Sequence, residues 1–282
     1  MDGPGRGMPP PMLWIGGGQG AGKSTLSWHL SREYDLPLHQ VDLWTYDHRA
    51  RLPAGGSLDE ELAAGAESAA EAFVSSSRLR LGLVLDDIAG RDLGEVPAIV
   101  DGPQLMPEFA GRLPIGWGVW LLPDPARTLM AREARLANTE VLADRPGAAR
   151  SRAELIAQRD AILTARARQG ALLVGRPVVE VPPVPDWRVI AAAIRSALAP
   201  GLAAAPRLAP GRELSRQRRY ENRAADRQGR LWLQDAALSV MPDYPFGCAC
   251  GESRCGATWT ATPEQYAAET ASERRLIAHD RT

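Results

Sequence analysis

Short apolar runs alternate with amphipathic stretches along the first two thirds of the chain. Runs that predict buried strands lie at residues 12–16, 38–41, 117–122 and 178–181. Stretches with helical spacing lie between and after them, at residues 22–33, 57–77 (one or two helices), 126–142, 152–169 and 187–198. This alternation predicts an α/β fold, with a parallel sheet covered by helices on both faces and ligands at the carboxyl ends of its strands.

One further strand has two candidates, and both end in acid. Residues 81–85 lead to Asp86 and Asp87, whereas residues 96–100 lead to Asp101. We favour the second run, because the Gly-Pro pair that follows Asp101 suits a strand end that opens onto a site.

A glycine-rich loop follows the first predicted strand and precedes the first predicted helix. It matches G-x-x-x-x-G-K-[ST], a pattern in which backbone N–H groups close around the phosphates of a nucleotide. Lys23 within it is the only lysine among 33 basic residues, and the others are arginines. The chain thus uses the smaller ammonium group only where it would reach phosphate. The residues predicted to bind the nucleotide are Gly17, Gly18, Gly20, Ala21, Gly22, Lys23, Ser24 and Thr25.

Composition narrows the classes of partner. A net charge of −1 and a sequence pI near 6.5 give no global attraction to nucleic acid or to an anionic membrane. No apolar run approaches the roughly 18 residues of a membrane span, so we expect a cytoplasmic protein without a membrane partner. Composition divides the chain into a flexible tail (1–11), a main domain (12–199), a Pro/Ala-rich linker (200–211) and a C-terminal module (212–282).

The C-terminal module is predicted to be mainly helical. Residues 207–230 hold eight arginines, for which a solvated helix face is a better interpretation than a nucleic-acid contact. A C-x-C-x₄-C cluster follows, and thiolates so close together favour Zn²⁺ over three free thiols in a small core. The ligands of this predicted zinc knuckle are Cys248, Cys250, Cys255 and, as the best candidate for the fourth, His279. A protein partner could also bind this module.

Several motifs together resemble the nucleoside and nucleotide kinase branch of P-loop proteins, and small bacterial ATPase-like proteins of unassigned substrate. They are residues 14–25, the stretch from Asp42 to Arg49 and the stretch from Asp101 to Pro107, within a resemblance that covers about residues 12–200. The resemblance implies a P-loop fold, a three-layer αβα parallel sheet. The chain departs from it at Asp101, where the pattern has glutamate. The cysteine cluster resembles short C-x-C-G-[DE]-x-x-C tails that end in a similar histidine.

Each part of a phosphoryl-transfer site then has a candidate. Lys23 would bridge the β- and γ-phosphates of ATP, and Ser24 would ligate Mg²⁺. Asp101 would complete the metal shell or orient the acceptor, with Asp86 and Asp87 as alternatives. Asp42 lies where shikimate and gluconate kinases have an acid that contacts substrate. Arg132, with Arg127 and Arg135, could form a cationic lid, although a solvated surface helix is the alternative. We interpret His48 as a structural residue and not as a base.

These assignments predict a kinase that moves the γ-phosphate of ATP to a small-molecule hydroxyl or phosphate acceptor. The alternative is a slow ATPase that switches a protein partner, since the same loop serves both classes. A third hypothesis is a binding protein whose cysteine-bearing tail makes the recognition contacts. If the domain boundaries hold, ATP turnover should survive loss of metal from the C-terminal module.

Overall fold

The protein is described by a computed structural model that covers residues 11–53, 55–111, 113–137, 146–235 and 244–271. Its strands are β1 Met12–Gly17, β2 Leu38–Gln40, β3 Ala98–Asp101, β4 Gly118–Pro123, β5 Val178–Val181, β6 Tyr244–Gly247 and β7 Thr258–Ala261. Its helices are α1 Lys23–Glu33, α2 Thr45–Arg51, α3 Leu58–Ala63, α4 Ala66–Ala89, α5 Pro125–Ala137, α6 Pro146–Leu173, α7 Trp187–Ala204, α8 Arg212–Asp235 and α9 Pro263–Ala271. The predicted tail lies outside the described residues, apart from residue 11.

The first five strands form one parallel sheet in the order β2-β3-β1-β4-β5. This confirms the predicted α/β class and the preference for residues 96–100 over 81–85 as the next strand. Residues 81–85 belong to α4, whose 24 residues bury one face only. A helix here satisfies its own backbone hydrogen bonds, so the short apolar run does not need a place in the sheet.

Both faces of the sheet are covered, because alternate residues of each strand point to opposite sides. On one face, Leu13 and Ile15 of β1 pack with buried residues of α1 and α7. On the other face, Met12 and Trp14 pack with buried residues of α4 and α6. The sheet is therefore the middle of three layers, and its strand ends are the exposed edges where side chains can meet a ligand.

Beyond α7 the chain stays in contact with the sheet. The segment predicted as a linker begins as the last turn of α7, and Leu202, Ala205 and Leu208 are buried. The backbone N–H of Leu208 donates to the carbonyl oxygen of Asp35, at 3.1 Å. Composition alone predicted a linker because Pro, Ala and Gly residues surround these apolar side chains, and it did not reveal that they are buried.

Helix α8 is amphipathic and packs against the sheet edge. Arg212, Arg216, Arg223 and Arg227 are exposed, as a solvated helix face requires. Arg218 is buried instead, at 3.0 Å from Glu221, and the same glutamate lies 2.8 Å from Arg32 of α1. Burial alone would raise the pKa of Glu221, yet the charges of Arg218 and Arg32 hold it below the ordinary value.

An antiparallel hairpin follows α8 and was not predicted. Strands β6 and β7 pair antiparallel, and Phe246 and Tyr266 form the centre of a small core. Leu43, which follows β2, packs against that core. The C-terminal segment thus contains strand as well as helix, although its helices dominate. Among the residues that the structure describes, no helix is both long enough and apolar enough to cross a bilayer.

Candidate functional site

The glycine-rich loop joins β1 to α1 in a conformation that requires glycine. Gly17 has φ 113°, and a Cβ there would overlap the carbonyl oxygen of Leu121 in β4. Gly22 has φ 78° and caps α1 without any side-chain hydrogen bond. The first amides of α1 are therefore left to a ligand, and an anion is favoured at this end of a helix dipole.

Lys23 turns back over the loop. Its side chain is buried, and Nζ donates a hydrogen bond of 2.6 Å to the carbonyl oxygen of Gly18. The only lysine of the chain thus places its ammonium at the centre of the loop, where it can contact phosphate oxygens.

Asp101 is brought to the same place by β3, which pairs with β1. Its carboxylate accepts hydrogen bonds from Ser27 Oγ, at 2.5 Å, and from Ser24 Oγ, at 3.2 Å. Burial raises the pKa of Asp101 to about 6, the Ser27 hydrogen bond opposes that rise, and the charge of Asp42 adds to it. A buried carboxylate beside a hydroxyl offers the hard oxygen ligands that Mg²⁺ prefers.

The two alternative acids do not reach this position. Asp86 is exposed on α4. Asp87 accepts hydrogen bonds from His48 Nε2, at 2.9 Å, and from Arg51, at 2.5 Å. Arg80 donates to Nδ1 of the fully buried His48 ring, at 3.3 Å, so this imidazole joins α2 to α4 away from Asp101.

Asp42 lies at the next strand end, on the exposed side of Asp101. Gln104 Nε2 donates to Asp42 Oδ1, at 2.9 Å, and so fixes the carboxylate. Gln40 Nε2 donates to the carbonyl oxygen of Ser24, at 3.2 Å, and ties the end of β2 to α1. Together these groups form a polar surface that can accept hydrogen bonds from a hydroxyl-bearing ligand.

Helix α5 fastens the other side of the loop. Arg127 Nε donates to the carbonyl oxygen of Gly20 and Thr128 Oγ1 to that of Gln19, each at 3.2 Å. Arg132, predicted as catalytic, binds Asp160 of α6, and its Nε–Oδ2 distance is 2.7 Å. The contact with the loop is therefore made by Arg127, while Arg132 joins α5 to α6 beside it. The side chain of Arg135 lies outside the described residues.

An aromatic surface borders the loop at the start of α7. A Cβ at Gly22 would lie 2.6 Å from the Trp187 ring, so the indole packs directly on the loop. The guanidinium of Arg127 lies 5.3 Å from the centre of that ring. An indole face and a guanidinium together offer a stacking surface for a planar heterocycle.

Four residues described in or near this site were missed in the sequence. Ser27 could have been found, because it lies three residues after Ser24 on the same face of a helix. Gln104 follows β3, which pairs with β1, and Trp187 follows β5, which lies beyond β4, so only the strand order brings both to this edge of the sheet. No pattern in the sequence indicated that Tyr244 of the C-terminal hairpin lies near this site. Burial, and then the charge of nearby Asp101, raise the pKa of Tyr244 to about 12.

The three cysteines lie in the connection between β6 and β7, residues 248–255, which we call the thiol loop. Their sulfur atoms all lie within 4.8 Å of one another, so the cluster could hold a metal ion such as zinc. Burial, and then the neighbouring thiols, raise the pKa of Cys250 to about 12. His279, the predicted fourth ligand, lies outside the described residues.

Comparisons with known proteins add no relative. A scan against protein-family models finds none that matches the chain. A search of curated proteins finds no match either.

Proposed function

We propose that the chain is an ATP-binding P-loop protein that transfers the γ-phosphate of ATP to a small-molecule acceptor. The observation that carries this proposal is the convergence of Lys23, Ser24 and Asp101 at the end of the glycine-rich loop. Ammonium, hydroxyl and carboxylate are the three groups that phosphoryl transfer from a magnesium nucleotide requires, and the carboxylate comes from a strand 77 residues beyond the loop.

Different residues of the site would bind different parts of the nucleotide. The open amides at the start of α1 would hold the β-phosphate, and the Lys23 ammonium would leave Gly18 to bind the β- and γ-phosphates. Trp187 and Arg127 would stack against the base of the nucleotide. Each of these contacts orients the γ-phosphate without covalent chemistry, which suits a reaction whose transition state is loose.

Magnesium fits the donor set, since Ser24 and Asp101 supply hard oxygen atoms and burial holds the carboxylate in place. When bound, the ion would neutralise charge that develops on the phosphate oxygens. Burial and the charge of Asp42 raise the pKa of Asp101, and the charge of Lys23 opposes that rise only in part, so a divalent cation beside the carboxylate would favour its charged form.

Asp42 favours an acceptor with a hydroxyl group. Its carboxylate is exposed and is oriented by Gln104, so it can accept the proton of a hydroxyl that attacks the γ-phosphate. A nucleotide switch would need the loop but not this second polar surface. This is the reason to favour a kinase over a slow ATPase.

A metabolite screen tests the proposal. Purified protein with ATP and Mg²⁺ is incubated with pools of hydroxyl-bearing and phosphorylated metabolites, and ADP is measured. We expect ADP to accumulate only when particular pools are added, and Lys23→Ala and Asp101→Asn to abolish the signal. Slow ADP release that no pool accelerates would favour the ATPase. Absence of both ATP binding and turnover would refute the proposal.

A further inference from the structure

The thiol loop is docked on the turn between α1 and β2. Asp35 in that turn accepts hydrogen bonds from the Ser253 hydroxyl and, at 2.8 Å, from the backbone N–H of Arg254. Asp35 has φ 50° and is 8% exposed, so it is held in a left-handed conformation and nearly sealed from water. These contacts join residues more than 200 positions apart in sequence.

The loop is also packed closely against α1 and α8. A Cβ at Gly247 would lie 2.6 Å from Arg32 Nη2. Gly251 has φ 83°, its carbonyl accepts from the Gly211 N–H at 2.7 Å, and a Cβ there would overlap Gly211. Asn222 of α8 exchanges two hydrogen bonds with the backbone of Gly247, at 2.8 and 2.9 Å. The loop therefore cannot move without disturbing its neighbours.

Three features favour a metal ion at the centre of this loop. The sulfur atoms of the three cysteines all lie within 4.8 Å of one another. The backbone N–H of Glu252 points at Cys250 Sγ, at 3.4 Å, as donors to metal-bound thiolates do. Among the residues that the structure describes, the core of the hairpin contains five buried residues, a size at which a metal contributes substantially to stability.

We propose that the three thiols of the thiol loop bind one structural Zn²⁺, and that this ion fixes the α1–β2 turn through Asp35. Binding converts the thiols to thiolates and releases three protons to solvent. The three thiols supply three of the four ligands of a structural zinc site, and His279, predicted from the sequence as the fourth, lies outside the described residues. The ion thereby stabilises an element of the main domain, not only the C-terminal segment.

The turn matters because it leads directly into β2, the strand that ends beside Asp42. Leu38 at the start of β2 donates its backbone N–H to Glu221 of α8, at 2.9 Å. The thiol loop thus holds the turn that precedes this strand, and α8 holds the strand's first residue. The sequence alone led us to expect ATP turnover to be independent of the metal, but these contacts give a physical reason for dependence.

The test measures zinc and local stability, and it uses neither nucleotide nor acceptor, so it is independent of the proposed function. Full-length protein is purified under reducing conditions and its metal content is determined. Amide hydrogen exchange is then followed in residues 31–38 and 247–257, with the central strand β4 as an internal reference. Cys250→Ser removes a ligand. Ser253→Ala is the matched control, because it weakens the contact with Asp35 but leaves all three thiols.

We expect about one Zn²⁺ per chain in the wild type and in Ser253→Ala, and less than about a tenth of that in Cys250→Ser. Exchange in residues 31–38 should be faster by about tenfold or more in Cys250→Ser, by less in Ser253→Ala, and unchanged in β4. If Cys250→Ser aggregates, wild-type protein stripped with a chelator and reloaded with Zn²⁺ supplies the same comparison.

Two results would overturn the proposal. A reduced protein that takes up no zinc, either during expression or on addition of the ion, refutes the metal site. A zinc protein whose exchange in residues 31–38 is the same before and after chelation refutes the link to the α1–β2 turn. His279→Ala then identifies the fourth ligand, since it weakens zinc binding only if the histidine ligates.

Discussion

Replacing Asp101 by asparagine should make the nucleotide-free protein more stable while nearly abolishing turnover. The carboxylate is buried at the end of β3, and burial raises its pKa from 3.8 to about 6. Above that pH the folded protein must hold a charge in a poorly solvated place. Asparagine keeps the shape and carries no charge; its oxygen can accept from one of the two serine hydroxyls, and its NH2 group can donate to the other once that hydroxyl turns.

The size and sign of the effect follow from linkage. A rise of about two in pKa corresponds to about 3 kcal/mol. Between pH 4 and pH 6 the folded state binds more protons than the unfolded state, so stability falls as pH rises through this window. Above pH 6 the cost is constant. The free energy of unfolding of Asp101→Asn should therefore be higher than that of the wild type by up to about 3 kcal/mol at pH 8, and almost equal to it near pH 4.

Urea unfolding of both proteins at several pH values measures this difference, and subtraction removes the titration of other groups. Asp86→Asn is the matched control; its exposed side chain should change the free energy of unfolding by less than about 0.5 kcal/mol. In the same preparations, turnover by Asp101→Asn should fall by about 10²-fold or more, with ATP binding less affected. A variant no more stable than wild type at pH 8, or an advantage that does not shrink toward pH 4, would refute the reasoning.

Four further substitutions test other parts of the structure. Lys23→Ala should lower ATP turnover by about 10²-fold or more with an intact fold by circular dichroism, and a variant that keeps a third of the activity would contradict the loop assignment. Asp42→Asn should mainly raise the KM for the acceptor in steady-state assays. If it weakened ATP binding by the same factor, Asp42 would not be a residue that contacts the acceptor alone. Trp187→Ala should weaken ATP binding about tenfold through loss of stacking, as measured by calorimetry. An unchanged affinity would refute the proposal that Trp187 stacks against the base of the nucleotide. Glu221→Ala leaves two buried arginines without their carboxylate and should cost about 3–5 kcal/mol in urea unfolding; a change below about 1 kcal/mol would show that water replaces the contact.

The sheet could be predicted because its strands are short apolar runs that end at, or one or two residues before, a Gly, Pro or Asp. The same logic made residues 81–85 ambiguous, since five apolar-rich residues suit a buried strand or a helix face equally well. The hairpin of β6 and β7 was missed for a different reason. Tyr244-Pro245-Phe246-Gly247 contains a proline and a glycine, and its pairing depends on α8 and Leu43 for a core.

The site was predictable where sequence neighbours act together and unpredictable where the fold alone joins them. The loop and Lys23 could be read from one motif, and Asp101 from its place after a strand. Gln104 and Trp187 become neighbours of that loop only through the strand order, which no local pattern encodes. The role of Arg132 stays a prediction, and a row of arginines did not reveal that Asp160 of α6 binds this one.

The contacts between α8 and the α1–β2 turn also constrain how the chain can be made. Arg32 and Leu38 reach Glu221 across 189 and 183 residues, so their partner is synthesised long after they are. At about 5–20 residues per second, a ribosome needs roughly 10–40 s to supply it. Until then the side chain of Arg32, which is buried in the folded protein, and the backbone amide of Leu38 are exposed to water or to other chains. We expect a nascent chain arrested near residue 205 to be cleaved by protease around β2, and a full-length chain to be resistant there. The main domain would therefore become complete only after α8 has left the ribosome.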